Sequence, residues 1–401
     1  MKNLILPLLL SSFVFFSSCS DDDDSNSAPS TQTLISLEDK NEASQQQVIQ
    51  LISLAFDDSL STMFTKGFKS FRVTYYSDYE NERVRMSGVL TLPSDYQTTD
   101  YPLMMVHRGT TVEHLLAPTE LTVPLYDIFA GLEFISFTPD LLGLGSSKAY
   151  PQAYYHAEYT AQASIDMYKA VKEALAQMEV SYQDQLYILG YSQGGYSAMA
   201  TLKYIEDHNL NIDVVATAAG AGGYDLTETM TNIVQGDIYE SPILISMPIL
   251  TYNRLGNKAD LSAYFQEKYA LILPNLVDGA RSMSDLNNAL NDTLSEFFNE
   301  DFLLDLREKQ NISFIEGQLI ENSVHDWLPK SPVYLLHHKD DQTVPYESSQ
   351  TAYAKMKSLG ATEIELIELS EYSNLSGRNI HGNAAYHSMF ESIQIFKKYR
   401  K

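Results

Sequence analysis

Short apolar runs separated by amphipathic stretches set the rhythm of this chain. Leu103-Met104-Met105-Val106, Phe134-Ile135-Ser136-Phe137, Leu186-Tyr187-Ile188-Leu189, Asp213 to Ala218 and Val333-Tyr334-Leu335-Leu336 read as strands buried on both faces. Glu363 to Leu369 predicts a further strand. Between the runs the spacing turns helical: Ile165, Met167, Ala170, Val171 and Leu175 lie on one face of Thr160 to Met178. Helices are also expected over Tyr126 to Leu132, near Ser197 to Asp207, near Ser348 to Leu359, and from Ala384 to Tyr399. Upstream, Val48 to Phe64 predicts a peripheral helix, and Phe71 to Leu92 a strand pair around a polar turn. Alternation of this kind predicts an α/β fold, a mostly parallel sheet with helices on both faces.

From Asp225 to Lys330 the alternation stops. Leu286, Leu290, Leu294, Phe297 and Phe298 recur at helical spacing, and Pro242, Pro248 and Pro274 punctuate the stretch. It leaves after one sheet strand and returns before the next, so it reads as an inserted helical cap over the site. The expected organisation is a core of 34–224 and 331–401 carrying a cap of 225–330. No internal repeat is visible.

The first 33 residues carry a different message. Residues 1–18 have the form of an export signal: Lys2, an apolar stretch from Leu4 to Phe16, then Ser17-Ser18 before Cys19. The apolar stretch is short for a membrane span. Cys19 is the single cysteine, so no intrachain disulfide can form. Its setting resembles a bacterial lipoprotein signal, in which the cysteine is lipidated and becomes the mature N-terminus, although Phe16 stands where Leu is usual. Ser20-Asp21-Asp22-Asp23-Asp24 resembles the acidic tag of some Gram-negative lipoproteins carried to the outer cell surface. A solvated acidic linker is the plainer alternative, and residues 19–33 are expected to be a flexible tether. The implied location is a lipid-anchored outer-membrane protein facing the cell surface.

Charge narrows the partners. Lys and Arg number 27 against 52 Asp and Glu, a formal net charge of −25, or −26 once Lys2 leaves with the signal. Such a surface argues against nucleic acid and against electrostatic docking to anionic lipid. No protein partner is indicated, and a flexible aspartate tract is not a preorganised metal cage.

The chemistry centres on Gly190-Tyr191-Ser192-Gln193-Gly194-Gly195, which follows a buried strand and precedes an amphipathic segment. This arrangement puts a serine on a sharp strand-to-helix turn whose crowding demands small neighbours. A serine hydroxyl needs an adjacent base, and the base an orienting group. Val333 to Leu336 runs into His337-His338-Lys339-Asp340-Asp341-Gln342-Thr343-Val344-Pro345. The Asp-x-x-Val-Pro spacing selects Asp341 over Asp340 as the carboxylate. His337, His338 and Asp341 could suggest a metal site, but a strand sends neighbouring side chains to opposite faces. His381, ahead of Gly382 and of the last helical pattern, is the expected base, whereas His387 falls inside that pattern. Backbone donors for an oxyanion are expected at Gln193 and at Thr110, with Gly109 as the alternative. Here Arg108 interrupts the His-Gly-x pattern usual in such loops.

These residues together resemble the serine α/β-hydrolases, and more narrowly their secretory lipase and esterase branch. The narrower resemblance rests on the serine turn, on Pro139-Asp140-Leu141-Leu142-Gly143-Leu144-Gly145, on Tyr154 to Asp166, and on Trp327-Leu328-Pro329. It spans about Val84 to Tyr399, with the insertion matching in position only. It implies hydrolysis of a small-molecule ester through an acyl-enzyme, with no cofactor and a cap that shapes the pocket. Asp140 and Gly143 are expected to fix a loop rather than to catalyse. Two other readings compete. One is a prolyl-oligopeptidase-like peptidase, against which the short segment ahead of the core counts. The other is a surface lipoprotein that binds a ligand without catalysis, which an intact Ser-Asp-His set opposes. Phe265, Phe297, Phe298 and Phe302 could line an acyl pocket or pack the insertion's own core.

Overall fold

The computed structural model describes residues 32–55, 58–308, 313–369 and 379–400. Cys19, the export signal, the acidic tag and nearly all of the expected tether lie outside these residues. The chain runs β1 (Leu34–Ala43), α1 (Gln45–Ala55), α2 (Asp58–Ser61), β2 (Phe68–Tyr79), β3 (Glu82–Pro93), β4 (Tyr101–His107), β5 (Ile135–Pro139), α3 (Ala157–Gln177), β6 (Tyr182–Tyr191), α4 (Gln193–Asp207) and β7 (Val214–Gly220). Next come α5 (Leu226–Gln235), α6 (Pro242–Tyr252), α7 (Glu267–Leu276), α8 (Met283–Asn288), α9 (Leu294–Phe297), α10 (Glu300–Glu308) and α11 (Phe314–Glu321). It closes with β8 (Val333–His337), α12 (Glu347–Ser358), β9 (Ile364–Glu368) and α13 (Ile380–Tyr399).

Nine strands form one sheet in the order β1-β2-β3-β5-β4-β6-β7-β8-β9. Pairing is antiparallel from β1 through β3 to β5 and parallel from β5 to β9. The strand alternation explains why both faces are covered. Leu103, Met105, Leu186 and Ile188 point into one core with α3, α4 and α12. Met104, Val106, Tyr187 and Leu189 point into the other, with Val48 and Ile52 of α1 and Ile393 and Phe396 of α13. Each face is apolar, so each needs a helical layer to exclude water.

The pattern of side chains does not announce β1. Glu38, Asp39, Lys40 and Glu42 sit on this edge strand, and its register against β2 shifts twice. An edge strand is held by its backbone, so its side chains need show no alternation, and charge there discourages further pairing. The Glu173 carboxylate of α3 accepts from the amides of Thr33 and Leu34 and pins its start. Tyr126 to Leu132, expected as a helix, is a 3-10 turn over Asp127–Leu132.

Between β7 and β8 the chain makes α5 to α11 and adds no strand to the sheet. Leu286 to Phe298 is not one helix, because Asn291 accepts from the Thr293 amide and breaks the path between α8 and α9. Phe265, Phe297, Phe298 and Phe302 pack on one another, with ring centroids 5.3 Å apart for Phe265–Phe297 and 5.7 Å for Phe298–Phe302. They belong to the buried apolar cluster that continues into one face of the sheet.

The return of the insertion is fastened by one buried carboxylate. Glu206 of α4 accepts from Trp327 Nε1 at 3.0 Å and from the amides of Lys330 at 2.9 Å and Ser331 at 3.2 Å. Trp327-Leu328-Pro329 thus acts as an anchor directly ahead of β8. Removing the carboxylate strands buried donors. Glu206→Ala is expected to destabilise the fold by about 2–4 kcal/mol. Urea unfolding monitored at the single tryptophan measures this.

Candidate active site

The turn from β6 to α4 is built by close approach. A methyl group at Gly190 would strike the carbonyl of Gly194, and one at Gly194 would strike the carbonyls of His107 and Arg108. Both glycines are therefore required by space. Ser192, between them, is held at φ 58° and ψ −125°, a conformation that L residues rarely adopt. The strained turn lifts its side chain clear of the sheet's carboxyl edge.

Three sequence-predicted residues meet here. Ser192 Oγ lies 2.8 Å from His381 Nε2, and His381 Nδ1 lies 2.6 Å from Asp341 Oδ2. With the carboxylate accepting at Nδ1, that nitrogen carries the hydrogen and Nε2 is free to accept from the serine hydroxyl. His381 does not project from a loop. It occupies the first turn of α13, which starts at Ile380 with Asn379 accepting from the Gly382 amide. The asparagine cap extends the helix upstream of its apolar pattern. Tyr191 holds this turn in place by donating its hydroxyl to the His381 carbonyl at 2.8 Å. His387 lies farther along the same helix.

Asp341 is buried, whereas Asp340 is exposed. Oδ1 accepts from the amides of Thr343 at 2.8 Å and Val344 at 3.0 Å. Burial opposes its charge, but the hydrogen bonds and charges of His337 and His381 outweigh it and hold the carboxyl well below the usual range. His337 is the contributor that sequence reasoning did not assign. Its Nε2 lies 3.0 Å from the Val344 carbonyl and 3.3 Å from Asp341 Oδ2, and its Nδ1 lies 2.8 Å from Ser349 Oγ. Two acceptors at Nε2 require a hydrogen there, so His337 braces the carboxylate as a donor. His338 turns away and accepts from the Asp340 amide. Among the described residues no cluster of His, Cys, Asp and Glu forms a metal site.

Gln193 heads α4, where the first amides have no partner within the helix. Across from it, Gly109 lies at ordinary contact distance, where a methyl would sit 3.6 Å from the Tyr191 carbonyl and 3.9 Å from Ser192 Cβ. Thr110 shares a 2.7 Å hydrogen bond with the Tyr154 hydroxyl. Asp140 lies behind this turn, its carboxylate accepting from Thr119 and Ser87. It braces the loop.

Beside Ser192 opens a narrow, largely apolar pocket. Tyr154 and Tyr155 form one wall. Leu226, Met230 and Ile233 of α5, Leu244, Ile245 and Pro248 of α6 and Leu319 of α11 form an apolar side, and Thr229, Tyr239, Thr343 and Val344 complete the lining. None of the four phenylalanines noted in the sequence contributes. The apolar faces of α5 and α6 were invisible as a pocket because nothing in the spacing says whether such a face meets a core or a cavity.

A strand-to-helix serine turn on a mostly parallel sheet, facing a histidine and an aspartate from later segments, defines an α/β-hydrolase. The chain belongs to the secretory lipase family, which matches residues 131–386, and is a carboxylic-ester hydrolase. That family accords with an exported protein. The fold is similar to that of a hydrolase candidate from Legionella pneumophila, with 21% identity, 92% and 98% of the two chains covered and a TM-score of 0.83. It is also similar to the rice cell wall degrading esterase LipA from Xanthomonas oryzae, with 23% identity, 92% and 99% coverage and a TM-score of 0.80. Candida antarctica lipase A matches at 14% identity, 83% and 75% coverage and a TM-score of 0.60. No curated protein matches the chain by sequence.

His107, at the end of β4, is buried, and its Nε2 lies 3.4 Å from Thr201 Oγ1. Burial, and then the Arg108 charge, lower it from 6.5 to about 3. Between those values the unfolded chain binds a proton that the folded protein refuses. Stability is therefore complete above pH 6.5 and falls as the pH drops through this window. His156, lowered to about 4 mainly by burial, acts in the same direction. From pH 7 to pH 5, the wild type is expected to lose about 2 kcal/mol more stability than His107→Gln. Urea titrations of both proteins at the two pH values check this.

Proposed function

We propose that the protein cleaves carboxylic esters through an acyl-enzyme on Ser192, with His381 as general base and Asp341 as its orienting carboxylate. The observation that carries this reading is the continuous line of hydrogen bonds from Ser192 Oγ through His381 to Asp341. In the first half-reaction His381 Nε2 takes the serine proton as Oγ attacks the ester carbonyl. The oxyanion is met by the Gln193 amide and by the amide of Thr110, with Gly109 as the alternative. His381 then protonates the departing alcohol. In the second half-reaction it activates a water that releases the acid and restores Ser192. Asp341 keeps the proton on Nδ1 and stabilises the imidazolium that forms at each stage.

Residues 225–330 act in this reading as a cap over the core of 34–224 and 331–401. The apolar wall of α5, α6 and α11 takes the acyl chain, and Tyr239, which donates to the Thr343 carbonyl at 2.9 Å, ties the cap to the acid loop. Polar groups are scarce on that wall, which suits a neutral acyl group. Lipid attachment at Cys19 would hold the exported enzyme at the outer face of the outer membrane. Release of Cys19→Ala from the membrane fraction with unchanged specific activity is the expected result, and retention there would contradict the anchor.

Ser192→Ala is expected to abolish labelling by a fluorophosphonate and to lower turnover by several orders of magnitude. Asp341→Asn and His381→Ala should each cost about a thousandfold or more in kcat, while Asp340→Asn and His387→Ala stay within about tenfold. Full activity in Ser192→Ala, or loss only in His387→Ala, would refute the assignments. Met230→Ala should raise kcat/KM for an octanoyl ester relative to an acetyl ester by about tenfold, read from a chromogenic ester series. An anilide of an aminoacyl-proline in the same series tests the peptidase alternative, and no turnover is expected.

A further inference from the structure

The oxyanion turn contains a residue that the reaction scheme leaves unused. Arg108 is 1% exposed and heads the large side chains that are fully buried. It forms no ion pair among the described residues. Its Nε donates to the Asp140 carbonyl at 3.0 Å, and its Nη1 to the Gly109 carbonyl at 2.9 Å and to Gln193 Oε1 at 3.4 Å. Nη2 is buried without a hydrogen-bond partner. The Asp140 carboxylate, the obvious counter-ion, is already engaged by Ser87 and Thr119. Arg108 also lines a narrow crevice with Gln152, Tyr154, Thr160 and Gln193.

A guanidinium retained only for stability is expected to be paired, because an unpaired buried charge is costly. The position of Arg108 supplies a reason for bearing that cost. Its backbone carbonyl presses on Gly194 at the start of α4, while its side chain grips Gly109 on one side and the side chain of Gln193 on the other. These are the two segments whose amides face the oxyanion in the reading above. Nη1 makes the contacts to Gly109 and Gln193 while Nε holds the Asp140 carbonyl, and a lysine ammonium, a single point donor, cannot replace both nitrogens.

We propose that Arg108 is a positioning residue of the oxyanion site: it holds the Gly109 turn and the start of α4 in mutual register and sets a buried positive charge behind the developing oxyanion. The proposal rests on Ser192 acting as the nucleophile. Burial lowers the guanidinium from its usual value, which is the same cost seen from the side of the proton. A fixed charge in a water-poor site gains most when negative charge forms, so its effect falls on kcat and not on ground-state binding.

The test compares the full-length wild type with Arg108→Met, Arg108→Lys and Ser192→Ala. Readouts are kcat and KM on a short chromogenic ester and inhibition by two ketones. A trifluoromethyl ketone forms a tetrahedral adduct bearing an oxyanion, whereas the matched methyl ketone binds without one. In Arg108→Met, kcat should fall by about 100-fold with KM within about threefold. The trifluoromethyl ketone should weaken by a similar factor and the methyl ketone hardly at all. Arg108→Lys should recover about tenfold of the loss, because it restores charge without the separate Nε contact to the Asp140 carbonyl. Wild-type kcat in folded Arg108→Met, or equal weakening of both ketones, overturns the proposal. If Arg108→Met does not fold, Arg108→Lys decides: a selective loss of trifluoromethyl ketone affinity of about tenfold supports it, and wild-type behaviour overturns it. An active Ser192→Ala removes the nucleophile assignment and this inference with it. An inactive Ser192→Ala beside wild-type Arg108 variants removes only this inference.

Discussion

Where β6 runs into α4, Gly194 sits against Gly190 on one side and against the carbonyls of His107 and Arg108 on the other, at separations that leave no room for a Cβ. The rest of the site follows from this contact. It drives Ser192 into positive φ, sets the first amides of α4 beside the turn after β4, and brings Gly109 under the serine. Two parallel strands, β4 and β6, are adjacent and fully paired up to His107 and Gly190, so both turns begin at the same height above the sheet. The N-terminus of α4, with its first amides unpaired within the helix, then lies beside Ser192.

Around that contact the polar groups divide into two kinds. Asp341 is fully engaged by backbone amides and two imidazoles, and Glu206 by an indole and two amides. Such groups hold segments that are far apart in sequence: β8 to α13, and α4 to the end of the insertion. Arg108 and His107 are the other kind. Both are buried with an atom lacking a partner, and both sit at the end of β4 beside the nucleophile turn. Imperfect satisfaction is expected where a structure trades stability for a reactive environment.

The insertion contributes shape. Its phenylalanines pack on one another inside the same buried apolar cluster as α3, α4 and one face of the sheet. The apolar faces of α5 and α6 also line the pocket at Ser192. Family membership and fold agree on an ester-cleaving enzyme.

Much of the architecture was legible in the sequence, because a strand buried on both faces has to be apolar at every position and a helix on a sheet has to be apolar on one side. The serine turn was legible for a second reason: close approach forces glycine at fixed offsets, and space cannot be negotiated by other parts of the chain. Asp341 was distinguished from Asp340 by Val344-Pro345, a local turn signal. What depended on chain geometry rather than on local pattern was not legible. The edge strand β1 is held by backbone bonds to β2, some thirty residues on, and the brace on Asp341 by His337, whose two acceptors come together only when β8 and its loop close. Arg108 could be seen as a departure from a pattern, but its burial and its grip on two segments exist only in the folded molecule. Sequence by itself determined the periodicities and the steric requirement for glycine, since each acts within a few positions of the chain. Tertiary structure alone decided which apolar faces meet a core and which a cavity, and which buried charges find partners, because both depend on what arrives from elsewhere in the chain.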